Sequence, residues 1–274
     1  MRLLFIGDIV GTPGINMVRK GVPWLREREG IDCVIANAEN AAAGSGLFPN
    51  NYKAIRLAGV DALTMGDHIY KRVEIISLLH RGEPICKPAN FPAEAPGRDH
   101  LLIELPNGTR VGVISLMGRT FMRPVDCPFQ AVDRVLRSMP ADVKCIVVDV
   151  HAEATADKYL LAHHLKGRVS AVVGTHTHVP TADEQILPGG TAFICDVGMT
   201  GPYGGILGRR VDCVLPATIS FVPTPFNVAE EDPRLGGAIV DIDAETGKAT
   251  AIRRVMLSAK EIIGKGEGAE LEEG

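Results

Sequence analysis

The sequence predicts an α/β domain with two sheets, helices outside and a β-rich C-terminal half. Three observations carry this. In the first half, short apolar runs rich in Val, Ile and Leu alternate with segments of helical period. Around residues 100–116 the rhythm changes to two apolar runs flanking Pro106-Asn107-Gly108, a strong hairpin signal. In the last third, β-type runs follow one another. The chain has 274 residues, 46% apolar and 23% charged, which suits one large or two modest globular domains. No internal repeat or linker divides it. We therefore expect one domain over residues 1–258 and a polar, frayed, Gly- and Glu-rich tail over 259–274.

The elements follow in order. Residues 2–8 form a short strand ended by Gly7-Asp8. A helix follows, with Thr12 as N-cap, Pro13 at the first helical position and Pro23 kinking or splitting it. Residues 32–40 form a buried strand, 50–59 a helix and 61–68 a third strand. Residues 71–82 read as a helix with Val73, Ile76 and Leu79 on its apolar face, widened by Ile75 and Leu78. After the hairpin come a helix (128–139), a strand (144–153), a helix closed by Gly167 and a strand through Val169–His178. Residues 191–198, 213–222, 236–243 and 248–257 read as strands, the last two joined at 244–247.

Composition excludes several classes. Net charge is −4, and no block of basic residues marks a duplex nucleic-acid partner. No stretch approaches the ~20 apolar residues of a membrane span, and the N-terminal apolar run is too short for a secretory signal. The six cysteines include no CxxC pair and fall largely in apolar runs, as reduced core thiols do. A cytoplasmic location is expected.

The polar residues collect where strands end. The first strand ends in Asp8, the second in Glu39-Asn40 and the third in Asp67-His68; two later ones end in His151 and in His176-Thr177-His178. In α/β sheets, ligand sites form beyond the carboxyl ends of the strands. Each residue alone has an ordinary reading: Asp8 as a turn and cap, His151 as a satisfied polar residue. Their coincidence at five strand ends points instead to a metal centre. The mixed nitrogen and oxygen donors suit Mn, Fe or Zn better than Mg or Ca. There are more donors than one ion needs, so a pair of metals sharing a carboxylate is the natural count, and such pairs clamp in-line displacements at phosphorus. His-x-His also occurs in metallo-β-lactamase-like hydrolases and amidohydrolase barrels. Here it is followed by Val179-Pro180 and lies past position 170, which fits neither. His163-His164, His80 and His100 read as structural. Arg119 and Arg123 follow a strand end, where Arg119 is a candidate for a phosphate contact or, more simply, a surface or interface residue; Met199 and Tyr203 are candidate walls of the pocket or of a subunit contact.

The motifs "GDIVGTPG" (from Gly7), "NAENAAAGSGL" (from Asn37), "GDH" (from Gly66), "DVHAEAT" (from Asp149) and "GTHTHVPTAD" (from Gly174) resemble the YmdB-like branch of the calcineurin-like metallophosphoesterases. The resemblance runs from Met1 to about Leu257. It implies a four-layer α-β-β-α sandwich of two mixed sheets. It implies two divalent or mixed-valence transition metals, with Fe or Mn favoured over Zn, and a small phosphodiester such as a 2′,3′-cyclic nucleotide as substrate. Asp8, Glu39, Asn40 and His178 would hold one metal; Glu39, Asp67, His151 and His176 would hold the other. Glu39 would bridge, and His68 would protonate the leaving alcohol. A homo-oligomer is expected for an enzyme of this size. The alternatives are a broader phosphatase and a metal-dependent nucleotide-binding regulator with little turnover.

Three positions depart from the wider superfamily. Its D-x-H is Asp8-Ile9-Val10 here, and Asn40 fills the vacancy. The bridging carboxylate is Glu39 rather than Asp. These two changes fit the YmdB-like branch, but Asp67, where that branch carries Asn, does not. An ionised Asp67 adds one negative charge, which tightens metal binding or favours a trivalent iron while weakening Lewis acidity. Asp67→Asn is therefore expected to raise turnover and lower metal retention; unchanged rate and retention in that variant refute the idea.

Overall fold

Successive residues of the first strand, β1 (Arg2–Ile6), belong to different cores. Leu4 and Ile6 pack with helices, whereas Leu3 and Phe5 pack against a second sheet. All four are fully buried, so the run lacks the polar alternation of a half-exposed strand. The computed structural model describes residues 1–263.

The chain continues through β2 (Asp8–Ile9), α1 (Gly11–Glu29), β3 (Cys33–Asn37), α2 (Pro49–Leu57), β4 (Ala62–Thr64), α3 (Ile75–His80) and β5 (Ile85–Cys86). Next come β6 (His100–Glu104), β7 (Arg110–Met117), α4 (Pro128–Ser138), β8 (Cys145–His151), α5 (Thr155–Leu165) and β9 (Ala171–Thr175). The remainder comprises β10 (Gln185–Leu187), β11 (Thr191–Ile194), β12 (Met199–Pro202), α6 (Val211–Ser220), β13 (Pro233–Ile242), β14 (Ala249–Ser258) and α7 (Ala259–Ile263). One sheet runs β2-β12-β13-β1-β3-β4-β5, with β14 also paired to β13; the other runs β10-β11-β9-β8-β7-β6.

Both sheets are mixed. β1, β3 and β4 are mutually parallel, while β13 is antiparallel to β1. β7, β8, β9 and β11 are parallel, with β6 and β10 antiparallel at the edges. Three cores separate the layers. Val18 and Val22 of α1, Ile55 of α2 and Leu78 of α3 cover the outer face of the first sheet. Val132 and Val135 of α4 and Leu161 and Leu165 of α5 cover the second. Between the sheets, Phe5, Ile35 and Val240 meet Val113, Val147 and Val173. The architecture is therefore the expected four-layer α-β-β-α sandwich. Among the described residues, no helix is long and apolar enough to cross a membrane, and the six cysteines carry free thiols.

Several elements differ from expectation. Residues 213–222 are not a strand. They lie largely in α6, which runs through Pro216 and buries none of its residues. The apolar, β-branched run suggested a core strand, but no sheet edge receives it. α1 starts at Gly11, not after Thr12: Gly11 N–H donates to the Asn40 carbonyl (3.0 Å), so a tertiary bond replaces the side-chain cap. Pro23 does not split α1, which continues to Glu29. α3 is shorter than expected, and Val73 is exposed in the turn before it; Ile75, Leu78 and Leu79 form its buried face. The β6–β7 hairpin forms at the Pro-Asn-Gly turn, with Gly108 at φ 81°. β13 and β14 pair as expected, whereas short β10 and β12 were not anticipated. The stretch read as a tail opens with α7, whose Ile262 packs on the helix-side core; residues 264–274 lie outside the described residues.

Phe5 is the largest side chain filling the seam between the sheets. Phe5→Ala is expected to destabilise the metal-free protein by about 3–5 kcal/mol, read from urea unfolding.

Candidate metal centre

Each expected residue stands at the end of a strand, and the strands come from both sheets. β2 carries Asp8, the turn after β3 carries Glu39 and Asn40, and the turn after β4 carries Asp67 and His68. From the second sheet, β8 ends in His151, and the turn after β9 carries His176 and His178. The site therefore straddles the seam rather than lying in the crevice of one sheet. Asp8, Glu39, Asn40 and His151 are buried. Asp67, His68, His176 and His178 form the more open side.

Glu39, Asp67, His151 and His176 each offer a donor atom within 4.8 Å of the others. His151 Nε2 lies 3.0 Å from Glu39 Oε1 and 3.3 Å from Asp67 Oδ1. It also faces His176 Nδ1 at 3.0 Å. The second group is adjacent. Asn40 Nδ2 lies 3.3 Å from Asp8 Oδ1, 3.2 Å from His178 Nε2 and 3.4 Å from Glu39 Oε1. Glu39 Oε1 thus belongs to both groups. His68 stands over them, its Nδ1 2.8 Å from Asn40 Oδ1 and its Nε2 3.6 Å from Asp67 Oδ2.

The backbone is shaped to make this approach. Gly66 packs so closely that a Cβ would overlap the side chains of His151 and Glu39. His176 (φ 95°) and His178 (φ 65°) adopt left-handed conformations unusual for histidine. Asp196 holds the residue between them, accepting from Thr177 N–H (3.2 Å) and Thr177 Oγ1 (2.8 Å). The buried Lys158 ammonium pairs with the same carboxylate at 2.6 Å. Asp8 Oδ2 accepts the His176 N–H at 3.1 Å.

The second nitrogen of each histidine is also engaged. His151 Nδ1 meets Thr175 Oγ1 at 2.9 Å, His176 Nε2 meets Glu153 Oε2 at 3.1 Å, and His178 Nδ1 meets the Leu207 carbonyl at 3.0 Å. Such contacts orient imidazoles that ligate metals. Sequence reading missed these supporting residues, as it missed Lys158 and Asp196. The available signal was a carboxylate inside an otherwise apolar strand, Asp149 in "CIVVDVH" and Asp196 after "TAFIC", since a buried polar group must be satisfied.

The electrostatics favour a cation. Burial pushes the Asp67 carboxyl upward, but the close contact and charge of His151 outweigh it and hold the group below the usual carboxylate range. Burial likewise opposes ionisation of Asp8, yet His178 and His151 hold it low. At His151 burial disfavours the charged ring, but Glu39 and Asp67 raise its affinity for a proton well above the ordinary value. A site that draws a proton onto a buried imidazole draws a metal ion to the same point. Asp67 Oδ1 is buried without a hydrogen-bond partner, and two imidazole nitrogens face each other beside two carboxylates. The residues fit a transition metal.

The other candidates lie outside this cluster. The Arg119 N–H donates to Asp157, and Arg123 sits over the Phe91 ring. Met199 is buried in β12 beside Asp8, and its carbonyl accepts from Tyr203 Oη. His100 and His164 bond Asp99 and Asp133. A cavity of about 650 Å³ lined by Lys87, Arg98, His100 and Arg134 shares no residue with the cluster.

A two-sheet α/β sandwich with carboxylates, an amide and imidazoles gathered at its strand ends defines a candidate metal-site protein of the metallophosphoesterase class. The chain belongs to the YmdB-like protein family, whose model matches residues 4–255. It is 44% identical over 258 residues to a Bacillus subtilis (strain 168) protein named 2′,3′-cyclic-nucleotide 2′-phosphodiesterase, covering 94% of this chain and 97% of that one. A crystal structure of a hypothetical protein from Thermus thermophilus superposes with a TM-score of 0.88 at 43% identity, covering 94% of this chain and 99% of that one. A Mycoplasma pneumoniae structure described as a novel phosphatase gives 0.87 at 28%, with 94% and 93% covered.

Because Glu39 Oε1 is common to both donor groups, Glu39→Gln is expected to weaken metal uptake at both. Elemental analysis after Mn(II) loading of chelator-stripped protein checks this; loss of only one equivalent refutes the shared role.

Proposed function

We propose that this chain is a phosphoric diester hydrolase that uses two transition metals, Fe or Mn with Zn as the third choice, on small phosphodiesters such as 2′,3′-cyclic nucleotides. The observation that carries the reading is the position of Glu39 Oε1, 3.0 Å from His151 Nε2 and 3.4 Å from Asn40 Nδ2, between the two donor groups. The name of the Bacillus subtilis relative supports the substrate class.

Asp8, Asn40 and His178 would hold one metal and Asp67, His151 and His176 the other, with Glu39 placed to serve both. Bound there, the pair supplies Lewis acidity toward phosphoryl oxygens and lowers the pKa of water. The chain's own proton chemistry rests on His68. Its ring is anchored by Asn40 and stands on the open side, where a leaving alcohol would face it. Asn40 Oδ1, 2.8 Å from His68 Nδ1, accepts the proton on that nitrogen, so the doubly protonated ring keeps it and becomes neutral on releasing the proton of Nε2. That nitrogen protonates the leaving group. Asp67 offsets metal charge, which favours retention over rate. This observation also supports a second reading, a nucleotide-binding regulator with little turnover.

Apolar residues at four-residue spacing on α6, Val211, Leu215 and Ile219, are exposed. They support a homo-oligomer, because an uncovered apolar stripe of this kind is a common contact surface.

The experiment is hydrolysis of 2′,3′-cyclic AMP by chelator-stripped protein with Mn(II) or Fe(II) restored. Turnover is expected to return with metal, and the AMP isomer formed identifies the P–O bond cleaved. His68→Ala is expected to lower kcat by about 10²–10⁴-fold with metal content intact. Two bound metals without turnover would move the reading to the regulator or to another phosphoester.

A further inference from the structure

Beneath His151 lies a polar network that the proposed reaction does not use. Asp149 projects from β8 into the seam between the sheets and is fully buried. Its Oδ1 accepts from Thr175 Oγ1 at 2.7 Å. Its Oδ2 accepts from Thr64 Oγ1 at 2.5 Å and from Asn37 Nδ2 at 3.0 Å. Thr64 and Asn37 end strands of the first sheet, Asp149 and Thr175 belong to the second, and one carboxylate ties the two together at the edge where the donors gather. Burial pushes this carboxyl up to about 6, against the hydrogen bonds that favour its ionised form.

Hydrogen-bond accounting sets the direction of each bond. A threonine hydroxyl has one proton, and Thr175 gives it to Asp149. Toward His151 Nδ1, 2.9 Å away, the Thr175 oxygen can then only accept, so Nδ1 carries a proton. The Asn37 NH2 makes its short bond to Asp149 at 3.0 Å and only longer approaches to His151 Nδ1 (3.4 Å) and Thr175 Oγ1 (3.5 Å), so the 2.9 Å Thr175 contact is the closer partner of Nδ1; Asn37 Oδ1 accepts the Glu39 N–H at 3.2 Å. With Nδ1 protonated, the lone pair of the neutral ring is on Nε2, the atom facing Glu39, Asp67 and His176.

We infer that Asp149, acting through the Thr175 hydroxyl, is a positioning residue that keeps the proton on His151 Nδ1 and so presents Nε2 to the Glu39–Asp67–His176 cluster. Asn37 joins this relay to the backbone that carries Glu39, so the same network orients a ligand from each sheet. The inference rests on the metal-centre reading above. A purely structural network stabilises the seam without setting metal affinity. A relay makes metal affinity depend on the hydroxyl.

The test compares wild type with Thr175→Val, Thr175→Ser and Asp149→Asn. Mn(II) affinity is measured by calorimetry on stripped protein, and thermal unfolding of the metal-free forms reports the structural contribution. Thr175→Val and Asp149→Asn are expected to weaken Mn(II) binding by about 10–100-fold. Thr175→Ser, which keeps the hydroxyl, is expected to restore it. In the Zn(II)-loaded protein the His151 Nδ1 proton is expected as a downfield, slowly exchanging imidazole resonance in wild type and Thr175→Ser, shifted or lost in Thr175→Val. The failures are separable. Wild type that takes up no Mn(II) overturns the metal-centre reading. Wild type and Thr175→Val that bind Mn(II) equally tightly overturn the relay, as does a serine variant that behaves like the valine. Should Asp149→Asn not fold, the two Thr175 variants decide alone.

Discussion

A carboxylate or imidazole removed from water is costly unless every polar atom finds a partner. Asp8, Glu39, Asn40, Asp149 and His151 are all buried in this protein, and the structure around them answers that constraint. The groups meet because two parallel strand bundles end along one edge, so each sheet supplies partners the other lacks. Neither sheet alone satisfies its own polar ends. Glu39 depends on His151 across the seam, and Asp149 depends on Thr64 and Asn37 in the opposite direction. What is left after this mutual pairing is an excess of negative potential around imidazole nitrogen, a setting that attracts a proton or a metal cation.

The same constraint explains the unusual backbone of the second sheet's final turn. Two imidazoles separated by one residue both reach inward to the polar cluster, and His176 and His178 adopt positive φ to do so. The conformation is sustained by a buried ion pair remote from the donors: Lys158 neutralises Asp196, and Asp196 grips Thr177 through backbone and hydroxyl. A buried pair of this kind contributes little net stability. Its role here is geometric, fixing the residue between two side chains that must point the same way.

Much of this was legible in the residues. Apolar runs with polar ends located the strands, and the polar residues at those ends are the ones the structure gathers into one cluster, because both follow from local sequence. The parallel arrangement needed tertiary pairing to be seen, and so did the division of the donors between two sheets. Asp149 and Asp196 were passed over because a single carboxylate in an apolar strand carries no periodic signal; its partners, Thr64, Asn37 and Lys158, lie far away in sequence. α6 was misread for the opposite reason. Its composition is that of a core strand, and only the absence of a receiving sheet edge makes it a surface helix. Pro23 and Thr12 show tertiary contacts overriding local rules: α1 is packed along the first sheet and continues through its proline, and the Asn40 carbonyl takes the place of a cap.

The place of β1 has a consequence for biosynthesis. It is an interior strand, held on one side by β3 and on the other by β13 (Leu3 opposite Cys33 and Val240). The first partner, β3 from Cys33, leaves the ribosome soon after β1, whereas the second, β13, starts only at Pro233. Until β13 is made, the nascent first sheet therefore carries an open edge of unpaired amides and carbonyls, a template for association with other chains. Asp8 shares this schedule, since β2 finds its partner only in β12. The polar cluster closes only after β12 and β13 are made, and a ribosome-bound fragment lacking these strands holds the polar residues of its first sheet without the scaffold that brings them into register.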